Sequence, residues 1–384
     1  MPGAVTIVAL EVGTPGGMER QVGELCMGLL ERGHRVTVVA ARCGLPAHPG
    51  LRVIRVRVPR RPAALAYPAF IVAGSLALHR HRAGVVHATQ AVVCNRVDVL
   101  TVHFCHHGFR AAFGTPQMAR DSLPYRVNAA AMAWMGRAAE RICYRPGRAR
   151  RLVVVSGGLA LELERHFPGR RDMATVIPNG VDRAGFAPDP AVGAEVRDHL
   201  GLAADDLVAL FVGGDWDRKG LSFAIEGVAA ARQWHLVVVG YGDEARYRAL
   251  SSRCAAGTRV HFTGSSPDPA RFYACADALL LPSAYEGFPL VGLEAAASGL
   301  PLLAGRVNGI EELVEEGRNG WFVERDAEAI AERLRMLGAD RALRIGMGLA
   351  ARDSSEPYTW DKVVDAYEGL YEALASDQGV ASSG

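Results

Sequence analysis

At 384 residues the chain is too long for one ordinary hydrophobic core and suits two domains. With 49% hydrophobic and 22% charged residues it is neither a disordered nor a fibrous sequence. The net charge of +2 conceals a split: residues 1–185 hold 25 arginines against 11 acidic residues, and the remainder holds 18 basic and 30 acidic. Such a division points either to two lobes that attract each other or to a first lobe that faces an anionic acceptor or membrane surface.

In chain order, the strand-like run VTIVALE leads into GGMERQVGELCMGLLERG, where Met18, Val22, Leu25, Cys26, Leu29 and Leu30 share one helical face. No basic residue precedes this first apolar run, so it does not read as a secretory leader. Strands follow at HRVTVVAA, LRVIRVRV, GVVHA, VLTVHF and RLVVVS, with helices near 64–80, 124–143 and 157–166. The apolar stretch AALAYPAFIVAGSLALH contains Pro68 and falls short of a membrane-spanning length. The seven cysteines are scattered, without a CxxC pair, which fits a reducing compartment and a cytoplasmic location.

The alternation breaks at VIPNGVDRAGFAPDP (176–190), read as the interdomain linker. A second series follows: DLVALFVGG, HLVVVG, RVHFTG, ALLLPS and PLLAG, each with a helix after it. The expected fold class is α/β, with two Rossmann-like units over residues 1–180 and 181–357. The last helix, 358–375, carries Trp360, Val363, Val364, Tyr367, Leu370, Tyr371 and Leu374 on one side and is expected to return to the first domain. Residues 376–384 read as a disordered tail.

Chemistry concentrates in LPSAYEGFPLVGLEAAASGLP (281–301). Glu286 falls in a turn after a strand, and Glu294 lies two turns into a helix starting around Pro289, so both can face the crevice at the strand's carboxyl end. The residues alone leave three readings open: paired acid and base, two sugar-binding carboxylates, or solvated helix-end charges. The stretch GGDWDRKG (213–220) holds one of only two lysines in the chain, Lys219, beside Arg218 and after Gly213 and Gly214. A loop holding Gly16 and Gly17, followed by Glu19 and Arg20, opens the first helix without a GxGxxG fingerprint, which argues against a dehydrogenase. His103 ends a strand, His87 reads as a core or rim residue, and Cys105, His106 and His107 make a poor metal set with no carboxylate beside them.

Taken together, GGMERQ, TVH, VIPNGVD, VGYGDE, DALLLPSAYEGFPLVGLEAAASGLPLL and GIEELVEEGRNGWFV resemble glycosyltransferase family 4, nucleotide-sugar transferases of the GT-B fold. The resemblance implies two facing Rossmann-like domains with a cleft between them, and a reaction that retains anomeric configuration. It implies that Glu294 binds the donor ribose and Glu286 the transferred sugar. The backbone of Gly287, Phe288, Leu290 and Val291, with Gly213 and Gly214, would approach sugar and phosphate, as would Gly16 and Gly17. His103 matches the histidine near the sugar, and Arg218 and Lys219 match the cations that neutralise the diphosphate. The usual arginine position is Gly214 here, and RKG resembles the variant of the lipopolysaccharide core glucosyltransferase branch. Whether Arg218 replaces the missing arginine is left open.

The donor implied is a UDP- or GDP-linked sugar, with no cofactor and no metal. The acceptor class is a glycan, a glycolipid or a small molecule, with no nucleic-acid partner; the arginine-rich stretches 55–62 and 144–151 fit either peripheral contact with a membrane or a basic bias that serves solubility. The rival readings are a sugar phosphorylase or epimerase of the same fold and a non-catalytic partner subunit.

Overall fold

A computed structural model describes residues 3–14, 16–59, 61–113 and 123–381, and the chain divides into two compact units. Unit 1 comprises Met1–Asn179 with Trp360–Gly384, and unit 2 comprises Gly180–Thr359.

Unit 1 contains β1 (Ala4–Val8), β2 (Glu11–Val12), β3 (Arg35–Ala40), β4 (Arg42–Cys43), β5 (Leu51–Arg55), β6 (Val85–Thr89), β7 (Val97–Val102), β8 (Ala149–Val154) and β9 (Ala174–Val176). Seven of these form one parallel sheet in the order β5-β3-β1-β6-β7-β8-β9, and β2 pairs with β4 beside it. Every residue of β6 and β7 is buried, which explains why those strands read as continuous rather than alternating apolar runs. Unit 2 contains β10 (Leu207–Val212), β11 (Trp234–Val239), β12 (Val260–Gly264), β13 (Ala278–Leu281), β14 (Leu302–Ala304) and β15 (Gly320–Phe322). Their order is β12-β11-β10-β13-β14-β15, with Ala209 opposite Ala278 and Leu210 opposite Leu279 across the central pair.

In both sheets the chain winds outward from the first strand, returns, and winds the other way. The reversal lies between β1 and β6 in unit 1, and between β10 and β13 in unit 2. Loops leaving the carboxyl ends of those adjacent strands diverge to opposite faces and leave a crevice, the usual ligand position in such sheets.

The C-terminal helix Trp360–Ala381 belongs to unit 1. Val363, Val364, Tyr367, Tyr371 and Leu374 join Val22, Leu25 and Leu29 of the Gly17–Glu31 helix in one core. The two helices approach closely at Gly28, where an added Cβ would stand 2.6 Å from Val364 Cγ2. Arg32 fixes the same contact from outside, at 2.8 Å from Asp365 and 3.5 Å from Glu368. This helix runs six residues past 375, so residues 376–381 are helical where a disordered tail was expected; residues 382–384 lie outside the described residues.

Two other expectations change. The helix Ala63–His81 runs through Pro68 to 19 residues, long and apolar enough to cross a membrane by length and composition, and only Phe70, Gly74 and Leu78 on it are fully buried. The expected linker already contributes Val176 to β9, and its far end is the N-cap Asp189 of the helix Pro190–His199. Arg60 of the basic stretch 55–62 lies outside the described residues.

Gly28→Leu is expected to destabilise unit 1 by about 1–3 kcal/mol through overpacking against Val364. Gly346→Ala, in the helix Arg341–Ser354 with open space around it, should stabilise unit 2 by about 1 kcal/mol. Chemical denaturation of both variants checks the pair, and equal effects would contradict the close approach at Gly28.

Candidate active site

The unit 2 site begins where β10 ends. Gly213 takes φ +127° and its N–H donates to the Val239 carbonyl at 2.8 Å. An added Cβ there would meet Lys219 Cε at 2.7 Å, so glycine is what lets the lysine lie back across the loop. Asp215 follows in the left-handed region, and Trp216–Lys219 forms a single helical turn closed by Gly220 at φ +81°. That turn delivers Arg218 and Lys219 to the crevice between β10 and β13.

The loop leaving β13 delivers the opposite charge. Lys219 Nζ stands 3.0 Å and Arg218 Nη1 2.9 Å from the same oxygen, Oε1 of Glu286, to which Ser283 Oγ also donates at 3.0 Å. Arg218 further donates to the Tyr285 carbonyl at 2.5 Å and to Asp215 Oδ2 at 2.7 Å. Lys219 and Glu286 are both almost fully buried, at 8% and 9% exposure. Burial alone would raise the Glu286 carboxyl; Lys219 and Arg218 together overcome it and hold the group at about 2. The Arg218 guanidinium is raised, because Glu286 and Asp215 outweigh its own burial. Buried Lys219 and largely buried Arg218 face one buried carboxylate, and the second carboxylate on Arg218, Asp215, is exposed, so the desolvated charge at the crevice is more positive than negative.

Sequence reasoning missed the residue that braces this arrangement. Arg325, just after β15, donates through Nη1 to the carbonyls of Arg218 (2.8 Å) and Pro282 (2.9 Å), and through Nη2 to that of Asp217 (3.0 Å). It ties the Arg218–Lys219 turn to the loop carrying Glu286, a tie completed by the Ala284 N–H donating to the Arg218 carbonyl at 2.9 Å. Nothing local in the sequence marks it.

Glu294 sits one element on, buried in the helix Leu290–Ala297, and accepts a hydrogen bond from Tyr273 at 2.6 Å. That helix starts one residue later than expected, with Pro289 as its N-cap. Its first turn contains Leu290 and Val291, whose N–H groups have no intrahelical acceptor. Phe288 is buried beside Tyr358, with ring centroids 5.4 Å apart, and Gly309 passes beneath it where a Cβ would come within 2.6 Å. At Gly214 an added Cβ would find nothing closer than 3.6 Å, so the position has room for a side chain and simply lacks one.

In unit 1, Gly16 takes φ +148° as N-cap of its helix, and a Cβ there would strike the Glu19 carboxylate. The Glu19 carboxyl is raised by its burial. His103 follows β7; its Nε2 is buried without a hydrogen-bond partner among the described residues, and burial lowers the imidazole to about 4, so the ring is neutral at pH 7. A second missed residue holds this loop: Gln90, after β6 at φ +62°, accepts through its side-chain carbonyl from the N–H groups of His103 (3.2 Å) and Phe104 (3.0 Å).

His87 is a core histidine, bonded at 2.7 Å to Tyr371 and 2.6 Å to Thr101. The expectation that no carboxylate accompanies His106 and His107 is wrong. Glu140, buried on the helix Leu123–Cys143, receives both backbone N–H groups and lies 2.7 Å from His107 Nδ1. It caps the helix His106–Phe113 from across the fold, and burial pushes its own carboxyl up to about 8.

Comparison with known proteins follows the division into units. Residues 15–184 match the family model described as Glycosyltransferase Family 4, and residues 206–340 match that described as Glycosyl transferases group 1. The chain is 25% identical to an uncharacterized glycosyltransferase of Methanocaldococcus jannaschii over 95% of this chain and 96% of that protein. It is 32% identical to a D-inositol 3-phosphate glycosyltransferase of Geodermatophilus obscurus, over 60% of this chain and about half (54%) of that relative. Among solved structures it is similar to WaaG, a glycosyltransferase of lipopolysaccharide biosynthesis (TM-score 0.79, 21% identity, 94% of this chain and 98% of that one). It is also similar to sucrose-phosphate synthase of Thermosynechococcus elongatus (TM-score 0.78, 23% identity, 98% and 100%). These structural likenesses show the GT-B fold.

Arg325→Met should leave three carbonyls without their donor, lower unit 2 stability by about 1–3 kcal/mol and speed hydrogen exchange at the Ala284 amide. Unchanged exchange there would contradict the bracing role. In an NMR titration the His103 ring should stay neutral down to about pH 4; a midpoint near 6.5 would contradict its burial.

Proposed function

The chain belongs to glycosyltransferase family 4 and is a nucleotide-sugar glycosyltransferase, and from that premise we propose how its residues divide the work. The reaction moves a hexosyl unit from a UDP- or GDP-linked sugar to a glycan, glycolipid or small-molecule acceptor, with retention of configuration. The observation that carries this reading is the convergence of Lys219 and Arg218 on Glu286 at the reversal point of the second sheet.

As the bond from the anomeric carbon to the β-phosphate oxygen breaks, negative charge grows on the departing diphosphate. Fixed cations at that spot stabilise the transition state more than the bound donor. Lys219, a compact charge on a flexible stem, turns from Glu286 toward the phosphate, while Arg218 remains tied to the Tyr285 carbonyl and Asp215 and supplies charge without leaving its place. Arg218 thereby takes over the task of the arginine absent at Gly214. The surplus positive charge and the Leu290–Ala297 helix N-terminus, with the backbone of Gly213, Gly287 and Phe288 nearby, hold the diphosphate.

Glu286, freed of one cation, accepts hydrogen bonds donated by hydroxyls of the transferred sugar, and Glu294 accepts those donated by the ribose hydroxyls. For unit 1 the family resemblance assigns Gly16 and Gly17 to phosphate and acceptor, and His103, neutral at pH 7, to a hydrogen bond with a sugar hydroxyl. No carboxylate is assigned as a covalent nucleophile. The acceptor oxygen attaches to the anomeric carbon on the face the diphosphate leaves, and its proton passes to the departing phosphate oxygen. With two protein cations on the leaving group, no divalent metal is needed.

Lys219→Ala should lower kcat about 10²–10³-fold in the presence of a chelator, while the matching nucleotide sugar still raises the melting temperature. Wild-type turnover in the variant, or wild-type turnover that stops when metal is chelated, would contradict the assignment.

A further inference from the structure

Two helices of unit 1 turn apolar side chains outward. On Ala63–His81 the residues Leu65, Val72 and Leu76 share one face, and Val72 and Leu76 are 63% and 53% exposed. On Leu123–Cys143 the outward residues are Val127, Trp134 and Ile142, with Trp134 66% exposed. The two stripes adjoin: a groove of about 170 Å³ runs between the helices, lined by Tyr67, Pro68, Ile71, Trp134, Ala138 and Ile142 among others, with no charged side chain among the described residues of its wall. A second groove continues along the first helix past Val72, Leu76 and His79. An apolar surface joined across two helices is unusual on a protein that stays free in water.

Charge is arranged around this ridge with one sign. Exposed Arg80, Arg82 and Arg141 flank it, and the one acidic residue on either helix, Glu140, is buried. Asp98 is buried and lies 3.7 Å from Arg82 and 3.6 Å from Arg150. The first helix has no acidic residue and ends in His79, Arg80 and His81, followed by exposed Arg82; the second carries Arg137 and Arg141 beside its outward stripe. A protein partner of ordinary kind would require polar groups on the ridge, at about one hydrogen bond per 100–200 Å². The ridge offers almost none. Hydrocarbon asks for none, and anionic headgroups answer the flanking arginines.

We propose that this ridge docks unit 1 on a bilayer containing anionic phospholipid. Val72, Leu76 and Trp134 enter the boundary between headgroups and acyl chains, where tryptophan is favoured, and the arginines contact phosphates above them. The helix lies on the membrane rather than spanning it, because its opposite face, Phe70, Gly74 and Leu78, is buried in unit 1. The contact rests on a surface separate from the donor residues of unit 2, so it stands or falls apart from the catalytic reading. It puts a membrane-held glycolipid first among the acceptor classes.

Co-sedimentation of the full chain with vesicles tests this. Binding should appear with equimolar phosphatidylcholine and phosphatidylglycerol, be far weaker with phosphatidylcholine alone, and fall several-fold as salt rises to about 0.5 M. The double variant Val72→Ser/Leu76→Ser, and separately Trp134→Ser, should each bind about ten-fold or more weakly while melting like the wild type. Absence of wild-type binding to anionic vesicles would overturn the proposal. So would variants that bind as the wild type does, or variants that instead convert a dimer of this chain to monomer.

Discussion

One carboxylate held between two cations is the arrangement on which the catalytic account rests. Glu286, Lys219 and Arg218 are all largely removed from water, and charged groups tolerate that only in each other's company. The imbalance of two against one is what makes the cluster more than a structural ion pair. An anion arriving at the crevice would meet Arg218 already held in place and Lys219 close by, so only the lysine has to move before phosphate charge develops. Every nearby feature serves this placement: the adjacency of β10 and β13, the bare Gly213 under the lysine, and Arg325 tying the two loops through their carbonyls.

The two units share a sheet plan and differ in the chemistry at its reversal point. Unit 2 gathers charge there. Unit 1 gathers glycines, a neutral imidazole and a glutamine in a backbone conformation that few side chains adopt. Sugar hydroxyls and an acceptor oxygen are neutral groups, which a desolvated His103 can meet with a hydrogen bond and without a charge to solvate.

The alternation of apolar runs and helical stretches disclosed both sheets from sequence, because strands buried on both faces leave an unbroken apolar signature. Arg218, Lys219, Glu286 and Glu294 stand out in short, local motifs, and the structure brings the first three together. What the sequence hid depends on partners far apart in the chain. Arg325 braces carbonyls more than 40 residues away, Gln90 reaches another strand's loop, and Glu140 caps a helix 33 or 34 residues upstream. Polar residues in those roles look like any surface arginine, glutamine or glutamate. The pairs β2–β4 and the edge strands β9 and β15 are two or three residues long, below what periodicity can register. The C-terminal helix is longer than its apolar pattern indicates, because its last turns are polar.

The central claim is that the Lys219–Glu286 contact opens to receive the donor diphosphate. A crystal structure with the cognate nucleoside diphosphate bound measures this most directly. The account predicts a β-phosphate oxygen within about 3 Å of Lys219 Nζ, with Arg218 still held by the Tyr285 carbonyl. A diphosphate bound elsewhere, with Lys219 and Glu286 still paired and unapproached, would contradict it.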